Sequence, residues 1–202
     1  MKNYFYNRRE RDIYNQLIGL KELMSFFRKE CGVYSFLTYG TLLGAIRGKT
    51  MVPFDTDYDI AYFSKGKTIQ EIRDEWKKIC TILIKNKMLG KIWVKGGSII
   101  HPTVDDLKDF AGQMHVQTPN RKIYIDVYSS FCLGSEFHMS YGIHGHLKRS
   151  DIVPFGYAYL REFKFVVPKN PEAILKFMYG EDWKTPKEGY KYKGKYKKVW
   201  QY

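Results

Sequence analysis

Residues Tyr39 to Phe63 read YGTLLGAIRGKTMVPFDTDYDIAYF. Val33 to Tyr39 before them reads as a strand that enters a Gly40-Thr41 turn. Thr41 is placed to cap a short apolar helix, Leu42 to Arg47. A helix opening in that way aims backbone N–H groups and a positive end at its surroundings, which suits an anionic ligand. Asp57 to Phe63 reads as a second strand. Alternation puts Asp57 and Asp59 on one face, and Asp55 shares their parity if the strand reaches back that far. Like charges crowded on one face repel. A hard divalent cation such as Mg²⁺, or Mn²⁺, removes that cost by binding carboxylate and phosphate oxygens. The plain alternative is a solvated acidic turn.

The order of residues in this stretch resembles the LicD/fukutin family, a branch of the nucleotidyltransferase-fold superfamily. That family carries Gly-Thr-Leu-Leu-Gly-Ala-Ile-Arg followed by Pro-Trp-Asp-Asp-Asp-x-Asp-Ile. Here the two runs are Gly40 to Arg47 and Pro53 to Ile60. Phe54 stands where the family usually has Trp, Thr56 where it has Asp, and Gly48 where a His is common. A second anchor lies downstream. Phe163 to Pro186 resembles the family's phenylalanine-containing strand, Val-Pro turn, short helix ending in Tyr-Gly, then Trp and Pro. The resemblance spans about Tyr34 to Pro186. It implies an α/β (α+β) fold with a small mixed β-sheet flanked by helices.

The resemblance also implies a third carboxylate on a neighbouring strand, and this role falls on Asp126. In Lys122 to Phe131, Ile123, Ile125 and Val127 take one face and Tyr124, Asp126 and Tyr128 the other. The implied reaction transfers a phospho-substituent from a CDP-linked donor, such as CDP-choline or a CDP-alditol, to a sugar hydroxyl of a surface glycan or glycolipid, releasing CMP. Asp57, Asp59 and Asp126 would hold the metal. Gly40 and Thr41 would meet phosphate, and Arg47 would clamp a phosphate oxygen with its fork. The hydroxyl needs a general base, for which Asp126 and Asp55 both qualify. Gly44 to Thr50 imitates a P-loop, but three residues separate the glycines instead of four, so it is no Walker motif. Lys49 keeps a role there only as a point charge toward phosphate.

Outside these stretches the chain reads mostly as scaffold. Tyr4 to Cys31 predicts a long helix with Ile13, Leu17, Leu20 and Met24 on one side, stopped by Gly32. Thr68 to Glu71 is a capping box opening a helix to about Met88, which Gly90 ends. Ile72, Trp76, Ile79, Cys80 and Leu83 form its core stripe. Lys91 to Val94 and Ser98 to His101 read as short strands joined around Gly96-Gly97. His138, His144 and His146 fall in a Gly-rich region read as a mobile loop without zinc. Pro171 suits a first helical turn and Gly180 a C-cap, with Ile174, Leu175 and Met178 facing the core.

Composition bounds the remaining choices. The 202 residues carry a net charge of +13 with 44% hydrophobic and 17% aromatic content, which fits a packed domain with anionic partners. One domain over residues 1–186 is expected, followed by a basic aromatic tail, 187–202. The tail alternates Lys with Tyr, and contact with an anionic membrane surface is one expectation for it; specific nucleic-acid binding is not expected. Cys31, Cys80 and Cys132 form no disulfide framework and read as buried free thiols in a reducing compartment. With no apolar signal region and no stretch of membrane-span length, a cytoplasmic, membrane-peripheral protein is expected. Two other readings stay open: a nucleotidyltransferase moving NMP from an NTP to a small molecule or RNA, and a non-enzymatic basic nucleic-acid-binding protein.

Overall fold

The structure, a computed structural model, describes residues 4–94, 97–108, 110 and 112–187. It is mixed α and β. In chain order the elements are α1 (Glu10–Lys29), β1 (Tyr34–Leu37), α2 (Tyr39–Gly48), β2 (Asp59–Phe63), α3 (Ile69–Lys85), β3 (Leu89–Val94) and β4 (Gly97–Ile100). After these come β5 (Gln113–Gln117), β6 (Tyr124–Leu133), β7 (Glu136–Met139), β8 (Ile143–Lys148), α4 (Arg149–Ile152), β9 (Gly156–Leu160), β10 (Phe163–Val167) and α5 (Pro171–Tyr179). The main sheet runs β1-β2-β6-β5-β3-β4, with β7 paired to β6 and β8 to β7, so its eight strands exceed the small sheet expected from the sequence.

β6 organises this sheet. Its first half lies between β2 and β5, and its last residues pair with β7. The β2–β6 ladder is parallel while the others are antiparallel. Every residue of β2 is buried, as expected of a strand covered on both faces. α1 lays Ile13, Leu17, Leu20, Leu23, Met24 and Phe27 into the core, and Phe27 stacks on Tyr62 of β2 at 6.1 Å. The capping box of α3 forms as read: Thr68 Oγ1 accepts from the Glu71 N–H, and the Glu71 carboxylate accepts from the Thr68 N–H. α3 buries its five-residue stripe, with Trp76 fully covered. α5 begins at Pro171 and stops at Gly180, whose φ of 95° favours glycine. The three thiols are free and buried.

Three readings of the sequence are corrected here. α3 ends at Lys85, and Gly90 sits inside β3 instead of ending a helix. A side chain at Gly90 would run into the Tyr124 ring, and the ladder to β5 shifts register at this point. The histidine region is the β7–β8 hairpin, not a loop. His138 is buried and paired in register with His144, and burial lowers the pKa of both rings. Gly142 lies in the hairpin turn, and Gly145, with φ 77°, lies inside β8 where the ladder to β7 shifts register. α2 begins three residues earlier than read, at Tyr39 with Thr38 before its first turn, so Thr41 lies inside the helix and is not its cap.

Residues 188–202, which hold nearly all of the basic aromatic tail, lie outside the described residues. Among the described residues no helix is long and apolar enough to cross a membrane.

Candidate active site

β1 and β2 are antiparallel neighbours, and α2 leaves the end of β1 through Thr38. The start of α2 therefore stands over the start of β2. The link is direct: the Asp59 N–H donates to Thr41 Oγ1 at 2.8 Å, and the Thr38 N–H donates to the Asp59 carbonyl at 3.2 Å. Thr41, offered by the sequence as a phosphate donor, thus fixes the first residue of the acidic strand.

β2 starts only at Asp59, so strand alternation does not align the three acids as the sequence suggested. A turn does it. The Asp55 N–H donates to the Val52 carbonyl at 3.0 Å, which folds residues 52–55 back across α2. The Asp55 carboxylate comes to rest against Gly40, where any Cβ would collide with Oδ2. Gly44 serves the same return one turn later, because a Cβ there would meet the Val52 N at 3.2 Å and crowd the Thr50 carbonyl. Both glycines are therefore required by the close approach of the loop to the helix. One carboxylate oxygen each from Asp55, Asp57 and Asp59 then lies within 4.8 Å of the others.

Asp126 reaches the same place from the parallel ladder, which sets it level with Asp59. It stands beside the three-oxygen group without belonging to it. The Tyr128 hydroxyl lies 3.3 Å from Asp59 Oδ1 and 3.4 Å from Asp126 Oδ2, spanning the two carboxylates. Gln113 Nε2 donates to Asp126 Oδ2 at 3.0 Å, and His115 Nε2 meets Asp126 Oδ1. Alternate residues of β5 thus face Asp126, Gln113 through a hydrogen bond to Oδ2 and His115 through a close contact with Oδ1. The sequence reading missed Gln113, and it gave His115 no role. Their shared parity was visible, but the register that sets His115 opposite Asp126 was not.

The electrostatics follow from burial. Asp59 is 7% exposed and Asp126 8%. Burial pushes Asp59 well above the ordinary carboxylate range, and Asp57, Asp126 and Asp55 push it further. Burial and a hydrogen bond with Asp57 raise Asp55 to about 7. Tyr128 rises for the same two reasons, burial first and then the adjacent carboxylates. Without a cation these groups resist full ionisation. A divalent metal fits them: the 4.8 Å limit on their separation is close to the ~4.2 Å between opposite ligands of one Mg²⁺. Among the described residues this is the group of three or more His, Cys, Asp or Glu side chains that could hold an ion.

Arg47 and Lys49 are elsewhere. Arg47 lies in the last turn of α2, seven residues and about 10 Å along the axis from Gly40. Lys49 closes that helix in the left-handed region, φ 54°, and its carbonyl accepts from the Arg161 N–H. The cation beside the acids is instead Arg8, which the sequence reading passed over. Its guanidinium packs over the Phe5 ring at 4.2 Å and donates to the Thr56 carbonyl between Asp55 and Asp57.

No curated protein matches the chain. Residues 32–170 match the family described as LicD/FKTN/FKRP, nucleotidyltransferase domain, and that span takes in β1, α2, the acidic turn, β2, β5 and β6. With more than half of its length covered and the carboxylates of its motif gathered at the start of β2, the chain belongs to the LicD/FKTN/FKRP family.

Proposed function

We propose that this protein is a metal-dependent transferase that moves a phosphocholine or phospho-alditol group from a CDP-linked donor to a sugar hydroxyl of a glycan or glycolipid, releasing CMP. Family membership supports a transferase role in general. The observation that carries the finer reading is the set of three carboxylates gathered at the start of α2, with one of them buried. Mg²⁺ or Mn²⁺, held by Asp55, Asp57 and Asp59, would supply positive charge to the donor's phosphate oxygens. In the reaction the acceptor oxygen attacks the phosphorus that bears the head group. The P–O bond to CMP breaks, CMP leaves with the bond's electron pair, and the hydroxyl proton passes to a carboxylate.

Asp126 suits that last task, because its place is beside the metal-holding group. Its orientation is set from β5 by His115 and Gln113. Asp55, the other candidate base, is committed to the three-oxygen group. Gly40 contributes by having no side chain where the Asp55 carboxylate must sit. We assign no step to Arg47 or Lys49, which lie at the far end of α2.

The test is CMP release from CDP-choline, CDP-ribitol and CDP-glycerol with Mg²⁺ or EDTA, in the native protein and in Asp57→Asn and Asp59→Asn. Release that needs the metal and both carboxylates supports the reading and names the donor. Release of pyrophosphate from an NTP, with no CMP from any CDP donor, would overturn it.

A further inference from the structure

Two tyrosines hold a backbone conformation that bulky residues avoid, and both stand around the carboxylates. Tyr39 has φ 43° and Tyr141 φ 76°, in the left-handed region. Such positions cost free energy, persist only where surrounding contacts over-determine them, and cluster at ligand sites. Those contacts surround Tyr141, at the tip of the β7–β8 hairpin. Before it, the Ser140 N–H donates to the Ser129 carbonyl at 3.0 Å and the Ser140 hydroxyl donates to the Gly112 carbonyl. The Ser140 carbonyl accepts from the Tyr39 hydroxyl at 2.9 Å. After it, the Gly142 N–H donates to the Met139 carbonyl at 3.4 Å. The tip is thereby fixed to β6, to the residue before Gln113 and to the first residue of α2.

Packing explains Tyr39, whose ring is buried and meets the Tyr128 ring at 4.5 Å. It does not explain Tyr141. That ring is 45% exposed and meets Tyr128 edge to face at 6.3 Å and 62°. A glycine would take the same backbone without strain. A strained tyrosine whose ring stays open to solvent points to contact with something outside the chain.

Tyr128 places that contact. Its hydroxyl reaches both Asp59 and Asp126, at 3.3 and 3.4 Å, so one side chain separates the Tyr141 ring from the carboxylate centre. This is about the span of the ribose that separates a base from its 5′-phosphate. Every nucleobase presents a flat π-face, and an aromatic side chain stacks on it. A choline head group also seeks aromatic rings, but a quaternary ammonium is held by a cage of several faces. Here Tyr39 and Tyr128 are buried, and Tyr141 is the one of the three that is open. One open ring suits a base. We propose that Tyr141 is the platform on which the donor's nucleobase stacks while its phosphates lie at the carboxylates. The word donor rests on the transferase reading above; the stacking of a base does not.

The experiment measures binding of CMP, AMP, ribose 5-phosphate and phosphocholine to the full chain with Mg²⁺, by calorimetry or chemical-shift titration. The native protein is compared with Tyr141→Ala, Tyr141→Phe and Tyr141→Gly, and melting curves check each fold. The native protein should bind CMP about tenfold more tightly than ribose 5-phosphate, which lacks the base. Tyr141→Ala should bring CMP down to the level of ribose 5-phosphate, because removing either stacking partner removes the same contact. Tyr141→Phe keeps the ring and should keep the affinity. Tyr141→Gly should lose CMP affinity as Tyr141→Ala does, with a Tm no lower than the native value, since glycine relieves the strained backbone. Unaltered CMP affinity in Tyr141→Ala would overturn the proposal, most plainly if Tm also falls in Tyr141→Gly, the mark of a ring that serves packing alone. Equal losses of CMP and ribose 5-phosphate would overturn it too, as would loss of phosphocholine in place of CMP, or no nucleotide bound up to ~10 mM. Binding of AMP without CMP, lost in Tyr141→Ala, would support the platform and sink the CDP-linked donor. Absence of CMP release from CDP donors, with CMP binding that still depends on Tyr141, would support the platform and sink the transferase reading alone, so the two failures give different results.

Discussion

Replacing Gly40 by Ala should separate folding from metal binding. A methyl group at Gly40 would collide with Asp55 Oδ2 and stand 3.8 Å from Asp59 Oδ2. The Asp55 carboxylate must retreat by about 1 Å before ordinary contact is restored. A metal ligand tolerates a displacement of only about 0.2 Å, so Asp55 drops out of the group. Losing it should weaken Mg²⁺ at least as much as losing a supporting group does, about 10- to 100-fold. The metal-free fold should not suffer: the colliding atom ends a side chain, and Ala in a helix is favoured over Gly by up to about 1 kcal/mol. At saturating Mg²⁺ a tenfold loss of affinity removes about 1.4 kcal/mol of ligand stabilisation. For a domain of this size that is about 3–6 °C of the Mg²⁺-dependent rise in Tm. The assay is thermal unfolding of the native protein and Gly40→Ala across a Mg²⁺ titration. An equal Mg²⁺-dependent rise in both proteins would refute the reasoning, and so would a Gly40→Ala protein that is unfolded without metal.

Gly44→Ala should cost about 3 kcal/mol, since the new methyl meets backbone of residues 50–52 that cannot rotate away, whereas Gly48→Ala, with only Thr50 Cγ2 at 3.7 Å, should be neutral or stabilising; urea unfolding of both variants checks the contrast. Thr41→Val removes the acceptor of the buried Asp59 N–H and should cost about 1–3 kcal/mol in the same measurement. For Asp55 the folded pKa, about 7, lies above the unfolded value of about 3.9. The native state then binds the extra proton between these values, so this group's contribution is full below pH 4 and is lost as pH rises through 7. In EDTA the loss should be on the order of 2–4 kcal/mol, absent in Asp55→Asn and offset by Mg²⁺; urea unfolding at pH 5 and pH 8 reads it. Asp126→Asn should lower CMP release by about 10²–10⁴-fold while the Mg²⁺-dependent rise in Tm persists, which separates a base from a metal ligand.

Much of this protein was legible in one dimension because local chemistry settles it. The Thr68–Glu71 capping box, the α3 stripe, the Pro171 start and Gly180 stop of α5, and the alternation of Ile125 and Val127 with Asp126 depend on residues a few positions apart, and all of them formed. The ordered run from Gly40 to Ile60 announced both the family and the acids, because a long motif with fixed gaps constrains more than any single residue does.

Tertiary structure decided how those acids meet. Periodicity ascribed the grouping of Asp55, Asp57 and Asp59 to a strand, but the strand starts at Asp59, and a turn pressed against a helix brings the other two in. Asp126 needed the parallel β2–β6 register, and His115 the β5–β6 register, to become partners across long gaps in sequence. Ladder register comes from core packing over the whole sheet, which no local window contains. The same holds for charge. Arg47 beside the motif lies at the far end of α2, while Arg8, distant in sequence, lies at the acidic turn because backbone hydrogen bonds fasten the N-terminal segment there. The sequence by itself determined which residues could do chemistry, and packing determined which of them share a place.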